Sequence, residues 1–277
     1  MSVAFLEIDH VSKDFGGVSV FDDVAFGIAE GEFVTMIGHS GCGKSTLLNI
    51  MAGLERPSAG GVVLSGREIT GPGMDRMVVF QNFSLMPWMT VFDNIRLAVR
   101  AAYPDWGRRR VGEWVQRYVD MVGLTGAEAK RPAALSGGMR QRVGLARAFS
   151  TEPKVLLLDE PFAQIDALTR GVIQDELVRM WSASRNTVFM VTHDVDEAIL
   201  LSDRIALMTK GPGARLTEII PVKIPRPRTR AELIDDPEYL RLRNHILHFL
   251  VEAAQRPGAT EVEIAASMGR LPSQTSK

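Results

Sequence analysis

Short apolar runs alternate along the chain with longer stretches whose apolar positions recur every three or four residues, and these two spacings predict strands and helices respectively. Strands are expected at Ala4–Ile8, Val18–Phe21 and Phe33–Ile37, parted by Gly16-Gly17 and Glu30-Gly31-Glu32 turns, as an antiparallel edge leading into a central strand. Helical spacing then covers Ser45–Gly53, Val91–Arg100, Arg108–Gly123, Gly137–Ser150 and Ala167–Ala183. Short strands are expected between these helices, at Gly61–Leu64, Met77–Phe80, Val155–Leu158 and Thr187–Val191. Alternation of this kind predicts an α/β fold with a parallel sheet covered on both faces.

The texture changes after Lys210. Gly211-Pro212-Gly213 makes a turn, Glu218–Ile224 reads as one more strand, and Pro225-Arg226-Pro227-Arg228 is a stiff basic connector. Asp236-Pro237 opens a helix as cap and first residue, with Leu242, Ile246, Phe249 or Leu250, and Ala253 on one face. Arg256-Pro257-Gly258 stops it, and a loosely ordered tail is expected to Lys277. Two parts follow: residues 1–210, with a helical insertion at about 84–150, and an extension over 211–277.

With 277 residues, 45% of them hydrophobic, the chain can bury a substantial core. A formal net charge of -1 gives no sign of a nucleic-acid partner. The single cysteine, Cys42, forbids an internal disulfide and suits a reducing compartment. Glu7 and Asp9 interrupt what a signal peptide would need, and no stretch approaches the roughly 18 apolar residues of a membrane span. A cytosolic protein is expected, one that needs another subunit to act across a membrane.

Between the strand ending at Ile37 and the helix that follows lies Gly38-His39-Ser40-Gly41-Cys42-Gly43-Lys44-Ser45-Thr46. It fits the phosphate-loop pattern, with Gly38, Gly43, Lys44 and Ser45 at the fixed positions. Glycines let backbone N–H groups curl round phosphate oxygens, and the helix N-terminus adds its positive end. Lys44 would reach the β and γ phosphates and the Ser45 hydroxyl would ligate Mg²⁺. Cys42, beside Lys44 and a helix N-terminus, is expected to favour its thiolate, so that alkylation inhibits and ATP protects; the alternative is a spacer position with its sulfur buried.

Asp159 and Glu160 end the buried run Val155–Leu158. There Asp159 would hold Mg²⁺ through water, and Glu160 would polarise the attacking water as general base. Up to this point a small kinase fits as well as any other phosphate-loop enzyme.

Leu135-Ser136-Gly137-Gly138-Met139-Arg140-Gln141-Arg142 separates these possibilities, because it resembles the signature of the ATP-binding cassette (ABC) family. Ser136 and the Gly137 and Gly138 amides open a helix and so make a second phosphate-binding terminus. A chain that already has one cradle has use for a second if it closes on another subunit's ATP. The resemblance spans about residues 3–210 and implies a phosphate-loop NTPase (RecA-like) core with an antiparallel β edge and an inserted helical subdomain. It implies that Gln81 senses Mg²⁺ and the lytic water, that His193 contacts the γ-phosphate, and that Asp166 lies in the loop crossing a dimer interface. It also implies that Phe15 stacks on adenine. Three departures stand out: Met139 for the usual glutamine, Ala163-Gln164-Ile165-Asp166 for the commoner Ser- or Gly-Ala-Leu-Asp, and Phe15 for tyrosine. The second puts the geometry of the crossing loop in question.

The apolar loop Asn82–Met89 follows Gln81 directly, and its surface near Phe83, Leu85 and Trp88 is expected to receive a transmembrane permease subunit, with some of Leu85, Met86 and Trp88 packing into their own helical subdomain instead. The resemblance implies an ATP-hydrolysing importer subunit, working as a homodimer or with a paired cassette at the cytoplasmic face of the inner membrane, and served indirectly by a solute-binding protein. The wording of Gln81–Trp88, Met139, Gly211–Arg215 and Ile224–Arg228 is most similar to subunits of nitrate/nitrite/cyanate importers, with sulfonate and taurine importers as the near alternative. A soluble, non-transport ABC ATPase is the more distant one, lacking here the tandem cassette or coiled-coil insertion that would mark it.

Overall fold

The computed structural model describes residues 4–255; the expected helix stop at Arg256-Pro257-Gly258 and the tail lie outside the described residues. In chain order the elements are β1 (Leu6–Phe15), β2 (Val18–Ile28), β3 (Phe33–Gly38), α1 (Lys44–Ala52), β4 (Ala59–Leu64), β5 (Arg67–Glu68), β6 (Arg76–Val79), α2 (Val91–Ala102), α3 (Arg108–Met121), α4 (Gly137–Phe149), β7 (Val155–Asp159), α5 (Ala167–Ser184), β8 (Thr187–Thr192), α6 (Val195–Leu201), β9 (Arg204–Met208), β10 (Leu216–Pro221), α7 (Arg230–Leu233) and α8 (Pro237–Gln255). A 3-10 turn, Pro132–Ala134, precedes α4. The chain divides into two compact units, one of Met1–Ala29, Val34–Gly71 and Val191–Lys277, the other of Glu30–Phe33 and Pro72–Met190.

In the first unit β2, β1, β4 and β5 form an antiparallel sheet in that order. β1 and β2 run further than their apolar alternation suggested, because register shifts between Ile8 and Val11 and on to Asp14 keep the pairing while breaking the period of two. The phosphate-loop strand β3 pairs in parallel with β9, from Val34 opposite Arg204 to Gly38 opposite Met208. β10 returns antiparallel along β9. Strand β9 and helix α6 gave no periodic signal, since seven residues of α6 make barely two turns.

Among the described residues, the extension over 211–255 packs within this first unit. Asp236 Oδ1 accepts the N–H groups of Glu238 and Tyr239, which starts α8, and Leu242 and Ile246 are buried along it. Tyr239 and Arg243 both donate to Asp196 of α6. The basic connector is less a spacer than an inserted cation: Arg228 donates to the carbonyls of Ser202 at 2.6 Å and Ile199 at 2.8 Å, and burial pulls its pKa down to about 10.

In the second unit β6 and β7 pair in parallel, Arg76 opposite Val155 through Val79 opposite Leu158. Leu156, Leu157 and Leu158 are fully buried, as a strand covered on both faces requires. Helix α4 lies so close to α5 that a Cβ on Gly138 would sit 2.5 Å from Thr169 Cγ2. Arg142 of α4 meets Glu176 of α5 at 2.9 Å, in a pair that is mostly buried.

Candidate functional site

The stretch Gly38–Thr46 runs from the last residue of β3 through the tight loop His39–Gly43 into the first turn of α1. Gly43 stands at φ 94°, and a Cβ there would lie 2.6 Å from Phe21 Cδ1 and 2.7 Å from Val20 Cγ1, so glycine is required by both conformation and space. Lys44 is only 6% exposed. Its ammonium donates to the Gly38 carbonyl at 2.8 Å and the His39 carbonyl at 3.0 Å, which curls the loop around it. Ser40, Gly41 and Ser45 are exposed along the same loop, and Thr46 is half-buried. His39 Nε2 lies 2.7 Å from the Leu250 carbonyl, so α8 reaches the phosphate loop, a contact the sequence did not announce.

Cys42 behaves differently from expectation. It is fully buried, and burial pushes its thiol up, outweighing Lys44 and the backbone N–H groups that favour the thiolate. Alkylating reagents at neutral pH should therefore leave Cys42 intact in the folded chain and modify it on unfolding. Mass spectrometry after a short pulse checks this; prompt labelling of folded protein would reverse the conclusion.

The same unit carries His193 and Phe15. His193 is exposed directly after β8, between Thr192, whose hydroxyl donates to Glu197 at 2.8 Å, and Asp194, which caps α6. Two fixed neighbours thus hold the backbone on either side of it. Phe15 ends β1 half-buried, with the Lys13 ammonium 4.5 Å from its ring centroid, so one face of the ring already carries a cation.

The second unit carries the other predicted residues. Gln81 is exposed just beyond β6. Asp159 closes β7 half-buried, and Glu160 follows it at φ 42°, a left-handed conformation costly for a non-glycine residue. Ser136 Oγ accepts the Met139 N–H at 3.2 Å and caps α4, presenting Gly137 and Gly138 in the first turn. Asp166 caps α5 by accepting the Thr169 N–H at 3.0 Å, and that bond holds its carboxyl below the usual range. The unusual Gln164 has its carbonyl 3.2 Å from where a Cβ on Gly137 would sit, so the departing loop packs directly on the signature.

Phe83, expected to face a partner, is buried instead; its backbone turns at φ 61° and tucks the ring in. Leu85 and Met86 are half-buried, and Trp88 is 67% exposed. Asn94 of α2, itself buried, shapes this loop: its Oδ1 accepts the Met86 N–H at 2.8 Å and its Nδ2 donates to the Thr90 carbonyl at 2.9 Å. Nearby, a groove of about 460 Å³ is lined by Met89, Asp93, Arg96, Leu97, Arg100 and Ala101. Sequence reasoning missed both, although helical spacing on α2 already set Leu97 apart from the buried Ile95, Ala98 and Val99.

The family model described as "ABC transporter" matches residues 21–163, more than half of the chain. The chain belongs to the ABC transporter family. The nitrate import ATP-binding protein NrtD of Synechococcus elongatus is 48% identical over 90% of this chain and 93% of its own length. NrtC of the same organism is 51% identical over 90% of this chain, which spans only 38% of that longer protein. The bicarbonate transport ATP-binding protein CmpD, also of S. elongatus, is 50% identical over 89% of this chain and 90% of its own. Among solved structures, a dimeric post-hydrolysis state of the ATP-binding cassette MJ0796 bound to ADP and Pi superposes with a TM-score of 0.70 at 28% identity, covering 79% of this chain and 99% of that one. The ABC cassette is thus an α/β phosphate-loop NTPase fold, as the motifs implied. Among its described residues no helix is long and apolar enough to cross a membrane, and no cluster of three or more His, Cys, Asp or Glu side chains forms a metal site of its own.

Proposed function

We propose that this ABC chain is the ATP-hydrolysing subunit of an importer for a small oxyanion, nitrate in the first instance. The observation that carries the reading is its likeness to NrtD along nearly the whole of both chains. The near-equal likeness to CmpD widens the solute class to bicarbonate, which the sequence had not suggested. In this reading the loop Gly38–Thr46 cradles the ATP phosphates and Phe15 stacks on adenine by its face away from Lys13. Lys44 draws charge from the β and γ phosphates. Ser45 and Asp159 supply the hard oxygen ligands that suit Mg²⁺, whose other ligands come from phosphate and water. Glu160 takes the proton of the attacking water, while Gln81 and His193 orient that water against the γ-phosphate. Ser136, Gly137 and Gly138 close on the ATP of a paired cassette, with Asp166 at that interface.

Affinity-purified chain with its membrane partner, reconstituted into vesicles, should hydrolyse ATP faster when nitrate and its binding protein are present. Hydrolysis that responds to bicarbonate or a sulfonate but not to nitrate reassigns the solute, and hydrolysis indifferent to every solute removes the importer reading.

The exposed Trp88 and the groove on α2 form the surface for the permease at the cytoplasmic face of the membrane. Leu97 gives this surface apolar area and Arg100 gives it positive charge, while Arg96 is paired at 2.8 Å with Asp93 of the same groove; a partner helix bearing an acidic group near Arg100 suits it. Trp88→Ala should weaken binding to the permease by about 2 kcal/mol, roughly 30-fold, as for an interface anchor. Because Trp88 is 67% exposed, Tm should stay unchanged rather than fall by the amount a buried aromatic would cost. Pull-down and melting curves on the one variant check both, and a destabilised protein that still assembles would place the docking surface elsewhere.

A further inference from the structure

Helix α4 carries the signature at its first turn and, towards its other end, a hold on the turn that follows Gln81. Arg147 Nη1 donates to the Ser84 carbonyl at 2.7 Å and Nη2 to the Phe83 carbonyl at 3.2 Å. Phe83 and Ser84 stand at φ 61° and 44°, in the left-handed region that non-glycine residues leave unless they are held. Arg147 is thus a clamp on a strained turn, and its bond to Phe83 is the longer of the two.

Between the signature glycines Gly137 and Gly138 and this clamp lies Gln141, itself part of the stretch Leu135–Arg142 and fully buried. Among the described residues neither its Oε1 nor its Nε2 has a hydrogen-bond partner. A buried amide with both ends unpaired bears a desolvation cost with no bond in return, and folded proteins keep few such groups without a reason. One turn along α4, Gly144 leaves a gap on the same side. A Cβ there would lie 4.0 Å from Gln141 Oε1, 3.9 Å from Val79 Cγ1 at the end of β6, and 4.0 Å from the Phe83 carbonyl. The unpaired amide, the strand before Gln81 and the strained turn after it therefore border one small space.

We propose that Gln141 is a positioning residue for the Gln81 turn: as that turn moves to engage the γ-phosphate, the Gln141 amide crosses the gap beside Gly144 and takes the Phe83 carbonyl from Arg147. The inference rests on the reading of Gln81 as the γ-phosphate sensor. It makes α4 the element that ties the signature end to that sensor. Burial that disfavours the charge of Arg147 is consistent with a clamp that gives up one of its two bonds.

Gln141→Met removes the amide at nearly constant volume. In the full chain it should leave Tm equal to or above wild type, leave the Kd for ATP unchanged, and lower kcat about tenfold. A glutamine with a merely structural role would give the opposite, a lower Tm with kcat unchanged per folded molecule. Gly144→Ala places one methyl at ordinary contact distances, and by filling the gap it should lower kcat similarly with Kd intact; it serves as the second variant should methionine fit poorly. Gln81→Ala is measured alongside. If Gln81→Ala loses hydrolysis while Gln141→Met and Gly144→Ala both keep the wild-type kcat, the role of Gln141 is overturned and the sensor reading stands. If Gln81→Ala itself hydrolyses like wild type, the sensor reading fails and the role of Gln141 fails with it.

Discussion

Glu160→Gln leaves ATP bound and slows its hydrolysis on the order of 10²- to 10⁴-fold, the usual loss when a general base is removed. The amide keeps the size and shape of the carboxylate but cannot accept the proton of the attacking water. Glu160 stands at φ 42° directly after the buried strand β7, a backbone conformation costly for a non-glycine residue. Since bound ATP is no longer consumed, the variant should also accumulate as a dimer, with each Ser136–Gly138 terminus closed on the partner's nucleotide. Single-turnover hydrolysis and size-exclusion chromatography with ATP provide the two measurements. Wild-type turnover would remove Glu160 from the role of base, and a monomer that binds ATP would count against the paired cassette.

Lys44→Met lowers ATP affinity on the order of 10²-fold, which corresponds to losing charge-assisted bonds worth about 2 to 3 kcal/mol. The ammonium sits 6% exposed with two carbonyl oxygens to satisfy it, and neither supplies a negative charge. A phosphate oxygen would, so the lost charge falls on nucleotide binding. Methionine keeps the length of the side chain and leaves the Gly38 and His39 carbonyls without their donor. A modest fall in Tm is therefore expected as well, and affinity is read by titration at a temperature where the variant is folded. A Kd for ATP equal to wild type would show that the loop binds phosphate by its backbone alone.

The sequence by itself determined the phosphate loop, because its nine residues are consecutive and its geometry follows from where glycines allow φ above zero and where a strand hands over to a helix. It determined the signature helix for the same reason, with Ser136 as a local cap on α4. The helices with strong apolar spacing were legible to within a few residues at their ends. Lost were β9, the two-turn α6, and the extra length of β1 and β2, where bulges interrupt the alternation that marks a strand.

Tertiary structure decided whatever depends on residues far apart in the chain. Cys42 has a local sequence context that favours the thiolate, yet surrounding core buries it and pushes the thiol the other way. Phe83 and Trp88 are two aromatics of one apolar loop, and only the turn at Phe83 and the grip of Asn94 make one core and the other surface. Arg147 reaches Ser84 across 63 residues, and α8 brings the Leu250 carbonyl to His39 across 211. Local spacing carries information about backbone conformation, which is set by the nearest neighbours. Burial, desolvation and the choice of hydrogen-bond partner are set by whatever the fold packs against a side chain, and no window of the sequence contains that.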